Sequence, residues 1–129
     1  MNLIPIANYL AENECGIVGA SIFVTEMPSS CNIGILLMDA YHGTPIDPDL
    51  PDYYATEFRL VVRDTDFANG SALAKNASAL FKSHAGFSAE ELLVRMSYPM
   101  NLPRSYRRSV GGYLEFEVDI AITFVEVPA

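Results

Sequence analysis

The chain has 129 residues, half of them hydrophobic, and a formal net charge of −8 from 16 acidic and 8 basic residues. This length fits one domain with its own core, and the acidic balance argues against a general nucleic-acid-binding protein, though not against one that repels DNA while guiding it. Two cysteines, Cys15 and Cys31, indicate free thiols rather than a disulfide framework or zinc site, and neither a signal peptide nor a membrane-spanning segment is expected.

The N-terminal third predicts one helix and two strands. Apolar residues recur at helical spacing over residues 2–13, with Pro5 suited to the first turn. Apolar runs within residues 16–26 and 33–38 predict two strands. Because residues 27–30 have the composition of a turn, we expect these strands to pair as a hairpin.

A proline-rich segment over residues 39–52 fits no regular element. Its prolines, at positions 45, 48 and 51, keep an extended loop semi-rigid. Loops of this length in compact domains are often functional. Its acidic residues lack the spacing of an EF-hand, so we expect solvated turn residues rather than a calcium site.

The middle of the chain predicts a strand followed by a helix. Residues 54–63 alternate in polarity, with Phe58 and Leu60 among those on the apolar face and Arg59 on the other. A helical stripe then predicts a central helix over residues 66–83 that packs on the sheet. The stripe consists of Leu73, Ala77, Leu80 and Phe81.

Residues 88–112 give weaker signals. The Ser-Ala-Glu-Glu sequence at residues 88–91 resembles a capping box and predicts a helical turn. Residues 92–98 favour a strand, and residues 99–112 are expected to be irregular. The last segment holds a basic cluster with one tyrosine, a combination that is favoured in protein interfaces, although pairing with the chain's own acids is an equal alternative. The predicted interface residues are Arg104, Tyr106, Arg107 and Arg108.

The final strand, residues 113–124, has the clearest pattern in the chain. Its even positions are all large and apolar, whereas its odd positions include Glu115, Glu117 and Asp119. One face therefore belongs to the core, and the other carries a row of acids. The row is either an ordinary solvated face or the lining of a channel for a polyanion that must not bind. We predict the second and name these three acids as channel-lining residues.

Together the segments predict a single α+β domain over residues 1–129. It has a mostly antiparallel sheet of four or five strands, on which an N-terminal helix and a central helix pack. The two histidines, His42 and His84, lack the partners of a catalytic arrangement, and none of the common nucleotide-binding or hydrolase motifs occurs. We therefore predict no catalytic residues, no metal ligands and no cofactor.

The order of segments between residues 19 and 81 has a recognisable pattern. A strand at 22–24 runs into Glu-Met-Pro at 26–28, and a buried strand at 35–37 leads to a loop with Ile-Asp-Pro at 46–48. The next strand ends in Val62-Arg63 and precedes a helix that starts with Phe67-Ala68. This pattern resembles the tail terminator and minor capsid proteins of long-tailed bacteriophages. The resemblance covers the first two-thirds of the chain and the final strand.

The resemblance implies a virion protein of the tail or neck, assembled in the host cytoplasm and without enzymatic activity. Such proteins form hexameric rings that cap the finished tail tube, stop its polymerisation and present the surface that joins the head. The implied partners are therefore copies of the chain itself, the tail tube protein and a head–tail connector protein. DNA would pass through the lumen without specific binding, and no membrane is involved.

Two alternatives stay open at this stage. One is another neck or head-completion protein of the virion, and the other is a small ferredoxin-like ligand-binding module. A ring of about six subunits would favour a virion protein, and a dimer with a ligand at the sheet edge would favour the module.

Overall fold

The structure, a computed structural model, describes residues 1–107 and 112–127, with the side chains of Tyr106 and Arg107 outside that description. Within these ranges the chain forms two helices and seven strands. In chain order they are α1 (Ile4–Glu12), β1 (Ile22–Val24), β2 (Gly34–Asp39), β3 (Tyr53–Asp64), α2 (Phe67–Ala79), β4 (Phe87–Ala89), β5 (Leu92–Pro99), β6 (Arg104–Arg107) and β7 (Leu114–Glu126).

The strands of the described residues form one mixed sheet in the order β1-β2-β3-β7-β5-β4, with β6 also paired to β7. The predicted α+β class is confirmed, but the sheet has more than the predicted four or five strands and is mixed, since β1 and β2 are parallel. Strand β7 lies at its centre and pairs with β3 from Leu114 to Val125. On its other edge, β6 pairs with its N-terminal part and β5 with its C-terminal part.

The predicted hairpin between the first two strands is wrong, because β1 and β2 run parallel, with Ile22 opposite Ile35. A hairpin requires the chain to continue antiparallel directly after its turn. Here Thr25 has a φ of 71°, in the left-handed region, and residues 25–33 carry the chain back before β2 begins. The backbone N–H of Thr25 still bonds the Leu37 carbonyl oxygen at 2.8 Å.

The core lies between the inner face of the sheet and the two helices. Phe116, Val118, Ile120, Ile122 and Phe124 of β7 are all buried, as the alternation predicted. Phe58, Leu60 and Val62 of β3 are buried beside them. The predicted face of this strand is therefore confirmed.

Helix α2 begins at the predicted place and ends earlier than predicted. The Asp66 carboxylate caps it by accepting from the Asn69 backbone N–H at 2.9 Å. Gly70 lies against the sheet, where a Cβ would overlap the Phe116 ring, so a side chain here would push the helix off the sheet. Leu80, expected in the buried stripe, is half-buried, whereas Phe81, just beyond the helix, is completely buried.

The capping-box interpretation of residues 88–91 is wrong. Ser88 lies in β4, and Ala89 pairs with Leu92 across a tight turn in which Glu90 has a φ of 52°. The Glu90 carboxylate accepts from the Asn8 side-chain amide of α1 at 2.6 Å, so this acid reaches outside the turn instead of capping a helix. The expectation of an irregular segment over residues 99–112 is also partly wrong, because it includes β6.

Candidate assembly surface

The outer face of the sheet, opposite the helices, carries a cross-strand set of charged residues. Strand register places Arg59 opposite Asp119 and Arg63 opposite Glu115, and the next strand over places Arg104 opposite Glu117. Directly opposed charges of opposite sign stabilise a sheet locally. We call these six residues the charge ladder: Arg59, Arg63, Arg104, Glu115, Glu117 and Asp119.

The outer part of the charge ladder is a partly exposed ion-pair network. Arg59 Nε lies 3.1 Å from Asp119 Oδ1, and Arg59 Nη1 lies 3.9 Å from Glu117 Oε1. Arg104 Nη2 lies 3.5 Å from Glu117 Oε2 and 3.4 Å from Asp119 Oδ2. Glu117 and Asp119 each therefore contact two arginines. The row of acids that the sequence predicted is present, but it does not present three uncompensated negative charges.

The inner part of the charge ladder is buried. Arg63 Nε and Nη2 both donate to Glu115 Oε2, at 3.2 and 3.1 Å, and the Glu115 side chain is only 1% exposed. Arg63 Nη1 donates to the carbonyl oxygens of Pro28 and Cys31 at 3.2 and 3.0 Å. The guanidinium also lies 4.2 Å from the Tyr113 ring centroid. This arrangement fastens the connection between β1 and β2 to the sheet, and it withdraws the Glu115 carboxylate from the surface of the subunit.

The predicted interface cluster is only partly within the described residues. Arg104 begins β6, and its side chain is 56% exposed, so it can both pair with the acids of β7 and reach a partner. Tyr106 and Arg107 belong to the same strand, where their backbones pair with Glu115 and Leu114. Arg108 lies outside the described residues.

Two loops expose large apolar side chains. Residues 40–52, which we call the proline loop, join β2 to β3, and Tyr41 and Ile46 within it are 97% and 80% exposed. Leu102, between β5 and β6, is 81% exposed. Apolar surface of this kind often marks protein contacts. In the part of the chain that the structure describes, no helix is long and apolar enough to cross a membrane.

Comparison with known proteins identifies the chain. The family model described as "Bacteriophage tail terminator protein" matches residues 9–126. The chain belongs to the bacteriophage tail terminator family. This family consists of structural proteins of the phage virion and not of enzymes, so the predicted absence of an enzymatic function is confirmed. No curated protein matches this terminator-family chain.

A solved structure shares the fold of this tail terminator family member. It is a chain from the "Virion of native gene transfer agent (GTA) particle", with a TM-score of 0.65 and 13% sequence identity. The alignment covers 95% of the terminator-family chain and 94% of the chain from that particle. At this identity the likeness shows a common fold.

Sequence reasoning on this terminator-family chain missed that Arg59 and Arg63 compensate acids of β7. Arg59 was placed on the polar face of its strand, but the partners of Arg59 and Arg63 on β7 were not predicted. The signal was present in the sequence, because the two arginines of β3 are as far apart as Glu115 and Asp119 of β7. In an antiparallel pair the earlier arginine therefore meets the later acid. An antiparallel pairing of the two strands in that register brings both pairs together.

Proposed function

We propose that this chain caps the tail tube as a closed homo-oligomeric ring, most simply a hexamer, and thereby ends tube polymerisation. The ring's other surface would receive the connector on the head side, and DNA would pass through its lumen. The family match over residues 9–126 is the observation that carries this proposal. The exposed apolar loops support it, because apolar side chains in water are unfavourable in an isolated subunit and would be buried between the subunits of a ring.

Strand β6 and the residue after it form the proposed contact with an acidic surface of the tube or of a neighbouring subunit. Arg104, Tyr106, Arg107 and Arg108 are the residues assigned to it. Arg104 pairs with Glu117 and Asp119, so its guanidinium is held in position before docking, and Arg107 and Arg108 would supply the net positive charge of the contact. A preorganised arginine loses less freedom on binding than one that is mobile in the free subunit.

The outer sheet face is the proposed wall of the lumen, with Glu117 and Asp119 at its surface and Glu115 beneath them. The three acids and three arginines of the charge ladder sum to zero charge. From the sequence, we expected unpaired acids to repel DNA, whereas each of these acids is paired with arginine. A wall whose charges are mutually paired offers phosphates few unpaired arginines, so DNA slides past without being held.

Tail length tests the capping function. We expect particles assembled without this protein to carry tails longer than normal and to lack attached heads, because nothing stops addition of tube subunits. Supplying the wild-type chain should restore a single tail length, measured by negative-stain electron microscopy. Tails of normal length that fail only to join heads would instead identify a different neck protein.

A further inference from the structure

A groove lies between the C-terminal half of α2 and the segment that joins β5 to β6. Its volume is about 480 Å³, and its walls include Lys75 and Lys82 on one side and Met100 and Leu102 on the other. Met100 and Leu102 are both exposed, so the groove offers apolar surface to a partner. We call it the lysine groove.

The lysine groove is a basic site on an acidic protein. Lys75 and Lys82 are the only two lysines in the chain, whose net charge is −8. Both are exposed. Within residues 1–107 and 112–127, no ion pair includes either of them. The groove therefore combines two uncompensated positive charges with apolar walls, and it fits a segment that is both acidic and apolar.

The proline loop of a second copy has this composition. It exposes Tyr41, Ile46 and Leu50, and its acids Asp47 and Asp49 lie between the last two of these apolar residues. The Asp47 carboxylate accepts from the Asp49 backbone N–H at 3.0 Å, and its carbonyl oxygen accepts from the Leu50 N–H at 3.1 Å, which gives the tip a defined turn. A loop ordered in advance loses less conformational entropy on docking.

Strand order places the proline loop and the lysine groove on opposite sides of β7. The proline loop joins β2 and β3, on one side of β7, whereas the segment lining the groove joins β5 and β6, on the other side. Two different complementary surfaces on one subunit generate a head-to-tail contact, which closes into a ring when the rotation between subunits permits. A two-fold dimer would instead pair one surface with itself.

We propose that the proline loop of each subunit docks into the lysine groove of the next, with Asp47 and Asp49 facing Lys75 and Lys82. This inference rests on the proposed ring and specifies the contact between neighbouring subunits that would close the ring. The occupant is a second copy of this chain, because its exposed acidic and apolar loop complements both the charge and the walls of the groove.

Charge reversal on the two surfaces tests the contact in particles assembled with each variant. We expect Lys75→Glu with Lys82→Glu, and separately Asp47→Lys with Asp49→Lys, each to reduce the fraction of tails bearing a ring by at least tenfold. Combining all four substitutions should restore rings, because the charges are again opposite. A matched control, Glu12→Lys with Glu26→Lys, changes the net charge as the loop variant does at exposed sites outside both surfaces, and should form rings normally.

The possible outcomes separate the inference from the proposed function. Rings that survive either charge reversal overturn the docking contact, although capping stands. Loss of rings in both variants without recovery in the combination also overturns it, and indicates that the groove holds a tube protein or DNA instead. Wild-type tails that carry no ring of this protein would overturn the proposed function itself.

Cross-linking gives an independent readout. In a Cys15→Ser, Cys31→Ser background, Ile46→Cys and Leu102→Cys together should yield, with a short bismaleimide, a ladder of linked species up to the full ring on a denaturing gel. Either cysteine alone should give no ladder, because a head-to-tail contact never brings identical positions together. Linked dimers from a single-cysteine variant, or no linkage in the double variant while rings are present, would contradict the contact.

Discussion

Arg63→Ala should destabilise the subunit by about 3–5 kcal/mol, the range observed when one partner of a buried ion pair is removed. Its loss leaves the Glu115 carboxylate buried beside an apolar methyl group, and it also removes the donors that bind the Pro28 and Cys31 carbonyl oxygens. Denaturant unfolding of the isolated subunit measures the change. Limited proteolysis should, in addition, cleave the connection between β1 and β2 faster than in the wild type.

Arg59→Ala is the matched control, because Arg59 belongs to the same strand and the same charge ladder but is half-exposed. Exposed ion pairs contribute about 1 kcal/mol or less. A double variant, Arg63→Met with Glu115→Leu, should recover most of the stability lost in Arg63→Ala, since it replaces the buried carboxylate together with the guanidinium by apolar side chains. Equal midpoints for Arg63→Ala and Arg59→Ala would show that the buried pair does not hold the sheet and loop together.

Phe81→Ala should cost about 3–5 kcal/mol, as expected for deleting a fully buried aromatic ring. Phe81 joins several elements: its ring centroid lies 5.3 Å from that of Phe58 on β3, 6.0 Å from that of Tyr9 on α1 and 6.2 Å from that of Phe87 on β4. Its carbonyl oxygen accepts from the Ser97 hydroxyl of β5. The loss should appear as a lower midpoint of cooperative unfolding.

Phe67→Ala is the corresponding control, because it deletes the same side chain from an exposed position. Phe67 is at the start of α2, and its ring contacts Phe116 at a centroid distance of 5.5 Å while remaining mostly in solvent. We expect less than half the destabilisation of Phe81→Ala, since less apolar surface returns to water. If the two variants unfold at the same denaturant concentration, Phe81 does not hold α1 and β4 against the sheet.

Strand identity could be predicted where side chains alternate without interruption. Both β3 and β7 have one apolar face and one charged face, and the large apolar residues on each are buried as expected. Pairing direction could not be predicted for β1, because a three-residue strand presents the same side chains whether it runs parallel or antiparallel. The direction depends on residues 25–33, which Arg63 binds from a distant part of the sequence.

The positions of the acids on the outer face were predictable, but their pairing with arginines was not. Alternation alone placed Glu117 and Asp119 on the outer face, where the structure has them. Their neutralisation by Arg59 and Arg104 depends on which strands flank β7, and a strand's own sequence does not specify its neighbours. The lysine groove was missed for the same reason, because residues 75 and 102 meet only through tertiary packing.

Cryo-EM reconstruction of tails assembled with this protein tests the proposed capping function most directly. We predict a closed ring of six copies at the head-proximal end of the tube, coaxial with it, and with the outer sheet face towards the lumen. A ring of another order, an open filament of this protein, or its location anywhere other than the end of the tube would contradict the proposal.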